Sequence, residues 1–220
     1  MKNKKSSALS FKYLLFDFVR ITAAPGLLFF RPKKIYISEK AKQHKFKGGN
    51  LIISNHVSLF DPMYLMLAIW NRRHHFVATK ELFHGKFRTF LFTKAFLSIL
   101  IDRENFSMNT LREIVDHLQA GEVVTMFPEG HVNVEKEGTK EFKSGMIIMA
   151  LKSGMPIVPV YLKRREHWYS RVEVAVGEPI DVKSFAKGEK PTVNDVKEAA
   201  KYLENQEKEL EELMLNRHLK

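Results

Sequence analysis

No cysteine occurs among the 220 residues, so disulfides and zinc–thiolate sites are excluded, and the chain suits a reducing compartment. No Gly-x-Ser-x-Gly elbow is present, which removes the hydrolase arrangement that acylates a serine. Phosphate-binding motifs of the nucleotide folds are missing. So are internal repeats and any long linker. Acidic residues are scarce in the first 50 positions, where Asp17 and Glu39 face 12 Lys and Arg. That stretch carries +10 of the net +11, leaving residues 51–220 almost neutral.

A basic excess of this kind serves either nucleic acid or a membrane surface. Here it brackets an apolar segment, Tyr13 to Phe30, and that combination points to an anionic membrane and not to nucleic acid. Each Lys or Arg near such a bilayer contributes about 1 kcal/mol. The segment's 18 residues lie at the low edge of spanning length. Asp17, Arg20 and the Pro25-Gly26 break also oppose a transmembrane helix. Phe11, Leu14, Leu15, Phe18 and Ile21 share one helical face, with Asp17 and Arg20 opposite. The pattern predicts an amphipathic helix lying in one leaflet, a kink at Pro25, and a short apolar piece through Phe30. The soluble alternative is a helix packed on the domain. A signal peptide fits poorly, because the two charges interrupt its apolar region.

With 45% hydrophobic residues and 17 Phe, the remainder can bury a substantial core. Leu51–Ile53, Phe76–Ala78, Ile99–Ile101, Val123–Phe127, Ile157–Leu162 and Val172–Val176 read as strands. The first five are apolar runs, as expected of strands covered on both faces. Leu111, Ile114, Val115 and Leu118 mark one intervening helix, stopped by Gly121. Met146 to Lys152 mark another, stopped by Gly154. This alternation predicts an α/β fold with a mixed, mostly parallel sheet and helices on both faces. Thr192-x-x-Asp195 opens a last helix with Val196, Ala199, Ala200, Leu203 and Leu210 as its apolar stripe. The expected organisation is a membrane-associating segment over 1–34, an α/β domain over 35–190, and a C-terminal amphipathic helix over 191–220.

Candidate chemistry begins at Asn55-His56-Val57-Ser58-Leu59-Phe60-Asp61-Pro62. On one regular helix His56 and Asp61 would point about 140° apart and could not meet. Local signals place them otherwise. Leu51 to Ile53 end a buried strand, and Asp61-Pro62 reads as a helix start with Asp61 at the N-cap. A turn between them lets the carboxylate fold back onto the imidazole, the arrangement of a general base. The competing reading is an ordinary N-cap beside a strand-end histidine. His74-His75 lack companion ligands at metal spacing and read as polar loop residues, so no metal is expected.

Four further blocks follow in order: Lys80-Glu81-Leu82-Phe83; Leu100-Ile101-Asp102-Arg103; Phe127-Pro128-Glu129-Gly130; and Phe142-Lys143-Ser144-Gly145, leading into Ile157-Val158-Pro159-Val160. Together with the His-x4-Asp pair, they make the chain from about Asn50 to Val176 resemble the glycerolipid acyltransferases. The best-known members of that family, which the chain resembles, are the 1-acylglycerol-3-phosphate acyltransferases. The resemblance implies transfer of a fatty acyl group from a thioester to a lysophosphatidic-acid-like hydroxyl. It implies His56 as base, with Asp61 orienting it and stabilising the imidazolium. Lys80 and Arg103 would hold the acceptor phosphate, and Glu129 and Gly130 would shape the acceptor site. The family usually continues Phe-Pro-Glu-Gly with Thr-Arg, where this chain has His131 and Val132. His131, Lys140 or Lys143 would have to substitute, although a lysine does not reproduce an arginine fork. No cofactor is implied; acyl-CoA or acyl carrier protein would be the donor substrate, and a lysophospholipid the acceptor. The expected location is the cytoplasmic face of a membrane. Rival readings are the same chemistry on glycerol-3-phosphate or another lysolipid, and a non-catalytic lipid-binding protein.

Overall fold

The computed structural model describes residues 13–18, 21–22, 32–79, 85, 89–90, 93, 97–102, 107–128, 140–163, 170–186, 188 and 191–217. Seven strands form one sheet: β1 (Lys33–Tyr36), β2 (Asn50–Ser54), β3 (His74–Thr79), β4 (Ile99–Ile101), β5 (Val123–Met126), β6 (Ile157–Leu162) and β7 (Glu173–Val176). Their spatial order is β1-β7-β6-β2-β5-β3-β4. Neighbours run parallel except β6 and β7, so the sheet is mixed and mostly parallel, as expected.

The helices are α1 (Glu39–His44), α2 (Asp61–Ala68), α3 (Met108–Gln119), α4 (Lys140–Ser153) and α5 (Val193–Asn216). They cover both faces, and the strand alternation shows how. Leu51 and Ile53 of β2 point into a core shared with Ile114 and Leu118 of α3, Met146 and Ala150 of α4, and Ala199 and Leu203 of α5. Ile52, between them, points the other way, onto Tyr64, Leu65 and Ala68 of α2. A central parallel strand must be apolar on both sides for this packing, which is why Asn50–Ser54 is wholly buried. Gly121 and Gly154 take positive φ after α3 and α4, the stops read from the sequence. The capping box at α5 forms in full, with Thr192 N–H donating to Asp195 Oδ2 at 2.8 Å.

Three expectations need correcting. The basic pair Lys33-Lys34 opens a strand instead of continuing a surface segment, so the sheet begins at Lys33. The strand was illegible because it lies at the sheet edge, half-exposed, with no apolar alternation. His74 and His75 are not loop residues: they begin β3 and are buried. Helical residues 13–18 also dock with the face read as polar. Tyr13 and Phe16 are buried against Met66, Phe76 and Leu97, and Asp17 pairs with Arg73. The opposite face leaves Leu14, Phe18 and Ile21 55–62% exposed. Residues 13–18 thus pack on the domain by one side, while apolar side chains on the other stay exposed. Pro25 and the apolar residues up to Phe30 lie outside the described residues. Among those described, no helix is long and apolar enough to cross a membrane.

Candidate active site

β2, β5, β3 and β4 are consecutive in the sheet and parallel, so their carboxyl ends open on one edge. The sequence blocks follow those ends. His56 comes two residues after β2, Phe127 directly after β5, Lys80 directly after β3, and Arg103 two residues after β4. The carboxyl edge of a parallel sheet is where loops converge into a ligand site. Lys80, Arg103, Glu129, Gly130, His131 and Val132 themselves lie outside the described residues. Lys143 falls in the first turn of α4, where the backbone alone is described. The structure thus brings together His56, Asp61 and Phe127.

His56 and Asp61 meet as the turn predicts. The Nδ1 of His56 lies 2.8 Å from Asp61 Oδ2. The same oxygen accepts the Val57 N–H at 2.7 Å and the Ser58 N–H at 2.8 Å. Asp61 is not the N-cap, however. It is the first helical residue, Phe60 takes the cap position, and no side chain caps α2. The carboxylate is turned back into the preceding loop, where it holds both the imidazole and the backbone of its own turn. Asp61 is 1% exposed and the His56 side chain 15%, so the acceptor is enclosed while the histidine reaches the surface. With Nδ1–H donated to the carboxylate, Nε2 carries the lone pair, as in a base oriented by an acid.

Two further residues position His56, and the sequence motifs assign neither a role. The Asn55 amide clips the loop to the end of β6: Oδ1 accepts the Leu162 N–H at 2.7 Å, and Nδ2 donates to the Leu162 carbonyl at 2.9 Å. Phe127 stacks on the imidazole, ring centroids 4.4 Å apart and planes 22° from parallel. Phe127 also packs against the cluster that contains Tyr13 and Phe16. The N-terminal helical stretch is therefore one aromatic layer behind the imidazole. Asn55 immediately preceding His56 was the visible signal for the first of these contacts; nothing local signalled the second.

Comparison with known proteins gives the family. The acyltransferase family model matches residues 34–163, more than half of the chain, and the protein belongs to that family. It is an acyltransferase. The 1-acyl-sn-glycerol-3-phosphate acyltransferase of Bacillus subtilis (strain 168) is 26% identical over 144 residues, covering 63% of this chain and 70% of that protein. The crystal structure of PlsC, the 1-acyl-sn-glycerophosphate (LPA) acyltransferase from Thermotoga maritima, superposes with a TM-score of 0.59 at 20% identity. That match covers 92% of this chain and 80% of that one, and it establishes a shared fold.

Proposed function

We propose that the protein transfers a fatty acyl group from an acyl thioester to the free hydroxyl of a lysophosphatidic-acid-like acceptor, giving phosphatidic acid. The observation that carries this reading is the His56–Asp61 bond at the carboxyl edge of parallel strands. A glycerol hydroxyl titrates far above neutrality and attacks a thioester slowly without a base. Nε2 of His56 takes its proton as the oxygen attacks the thioester carbonyl. The tetrahedral intermediate then collapses, the C–S bond breaks, and the imidazolium returns the proton to the departing thiolate. Asp61 stabilises the imidazolium between these steps. No acyl-enzyme forms, in keeping with the missing serine elbow and cysteine. The donor is acyl-CoA or acyl carrier protein. The acceptor assignment is supported by the Bacillus subtilis relative, named for action on 1-acyl-sn-glycerol-3-phosphate. A thioester-release assay with purified protein against a panel of lysophospholipids tests the whole reading; release with none of them removes it.

Phosphate recognition falls to Lys80 and Arg103, with Arg103 the main cation because Val132 replaces the family's second arginine. Arg103→Ala is expected to raise the acceptor KM about 10- to 150-fold, the worth of one charge-assisted contact, and the donor KM little. Val132→Arg is expected to tighten a phosphate monoester acceptor. Steady-state kinetics with lysophosphatidic acid and with a lysophosphodiester check both variants. A wild type that prefers the diester, with Arg103 dispensable, would move the assignment to another lysolipid.

The protein works at the cytoplasmic face of a membrane in this reading. Support comes from the exposed Leu14, Phe18 and Ile21, from the basic charges around them, and from Leu59 and Phe60, which are exposed in the turn between His56 and Asp61. Replacing Leu14, Phe18 and Ile21 together by Ser spares the packed Tyr13 and Phe16. It is expected to weaken binding to anionic vesicles at least about 10²-fold, since a fully buried large apolar side chain contributes about 1.5–3 kcal/mol. High salt should weaken wild-type binding only in part, because screening acts on the charges alone. Vesicle flotation reads both effects; unchanged flotation of the triple variant would place the membrane surface elsewhere.

A further inference from the structure

Three potential metal ligands converge at the amino edge of the sheet, away from His56. His75 is the second residue of β3, His117 lies in the last turn of α3, and Glu122 immediately precedes β5. One carboxylate oxygen, Oε2 of Glu122, lies 3.0 Å from His75 Nε2 and 2.6 Å from His117 Nδ1. The three ligand atoms fall within 4.8 Å of one another. His75 is buried and the other two are half-buried. The two imidazoles stack with centroids 3.9 Å apart. We propose that His75, His117 and Glu122 form a binding site for a borderline divalent transition-metal cation, zinc being the type.

The ligand set is right for such an ion: two imidazoles and one carboxylate, with no thiolate required. Metal–ligand bonds of 2.0–2.2 Å in a tetrahedron separate ligand atoms by about 3.3 Å. The two observed separations reach that value by opening less than about 1 Å. The local chain is built to hold the pair from α3. Gly121, at φ +82°, reverses the backbone, and the Glu122 N–H donates to the His117 carbonyl at 3.0 Å, which fixes Glu122 beside His117. The Tyr13 hydroxyl donates to the other carboxylate oxygen, Oε1, at 2.6 Å, an outer contact of the kind that orients metal-binding carboxylates.

The cluster carries one carboxylate, that of Glu122. The guanidinium groups of Arg72 and Arg73 lie near enough to act electrostatically on Glu122, but both make their hydrogen bonds to other groups. Arg72 donates to the carbonyls of Phe46, Gly48 and Gly121, and Arg73 pairs with Asp17. Tyr13 belongs to the N-terminal helical stretch, so metal on Glu122 fixes the carboxylate to which that stretch is fastened. The site is structural: β5, four residues long, separates it from the edge that bears His56 by roughly 13 Å.

Chelator-treated full-length protein, incubated with zinc and desalted, tests the proposal. Wild type is expected to retain one zinc per chain and to melt about 5–10 °C higher at a hundredfold excess over Kd. His117→Gln should bind at least tenfold more weakly, and His56→Ala should bind as wild type does. NMR of the wild type alone supplies a second reading: the ring protons of His75 and His117 should shift on saturation. Retention by His117→Gln equal to wild type overturns the proposal, as does loss of zinc in His56→Ala. So does a wild type with neither retained zinc nor a moved melting point; the cluster is then a hydrogen-bond network only.

Discussion

His56→Ala is expected to lower acyl transfer at least about 10²-fold, the usual contribution of positioned proton transfer, while binding to vesicles stays intact. The structure sharpens this expectation through Asp61. Its Oδ2 accepts three hydrogen bonds, from the imidazole and from the Val57 and Ser58 amides. Asp61→Asn can present its carbonyl oxygen at the same point, so the loop survives and only the charge facing the imidazolium is lost. Its activity should fall less than that of His56→Ala. Asp61→Ala strands two backbone N–H groups beside the base at about 1–3 kcal/mol each, so it should lose both loop order and turnover. Initial rates and denaturant midpoints on the three variants separate charge from geometry. Near-normal turnover by His56→Ala would remove the mechanism.

Gly49→Ala should damage the fold severely, although it adds a single methyl group. A Cβ at Gly49 would lie 2.0 Å from the Leu118 carbonyl oxygen and 2.9 Å from Met155 Cγ. The residue enters β2, and Leu118 lies in the last full turn of α3, so the strand and the helix meet backbone to backbone. Backbone cannot rotate away as a side chain does, and the surrounding core is close-packed. The expected loss is about 3 kcal/mol or more, or a fall of roughly 6–12 °C in Tm. Gly145→Ala is the matched control. It lies within α4 with nothing among the described residues within 4 Å of the added atom, so removing a helical glycine should stabilise by about 0.5–1 kcal/mol. Calorimetry on the two variants checks the contrast in sign, and a neutral Gly49→Ala would refute the close approach.

How much of the molecule is readable from its sequence follows from the range of each interaction. The core strands announced themselves as apolar runs, α3 by its apolar face and stop, α4 by its stop, and α5 by its capping box and apolar stripe. His56 and Asp61 were readable because their partnership spans five residues and two element ends. What escaped was non-local or lacked a pattern. β1 is a half-exposed edge strand headed by two lysines, and it is defined by pairing with β7 some 140 residues later. His75 looked solitary because His117 and Glu122 are more than 40 positions away and reach it only through the pairing of β3 with β5. The docking of residues 13–18 was hidden by an amphipathic pattern with two opposite uses. Asp17 read as solvent-facing because its partner, Arg73, is 56 residues distant.

The strand order also acts as a ruler. His56 follows β2, while Lys80 and Arg103 follow β3 and β4, two and three strands away across the sheet. At about 4.8 Å per strand, those two chain ends start roughly 10 and 14 Å from the end of β2. A glycerol phosphate is shorter than either span. With the proposed roles, the side chains of Lys80, Arg103 and His56 would have to bridge those spans for an acceptor's hydroxyl and charged end to be held together. If the proposed roles hold, headgroup choice and proton transfer are carried by the ends of different strands of one sheet.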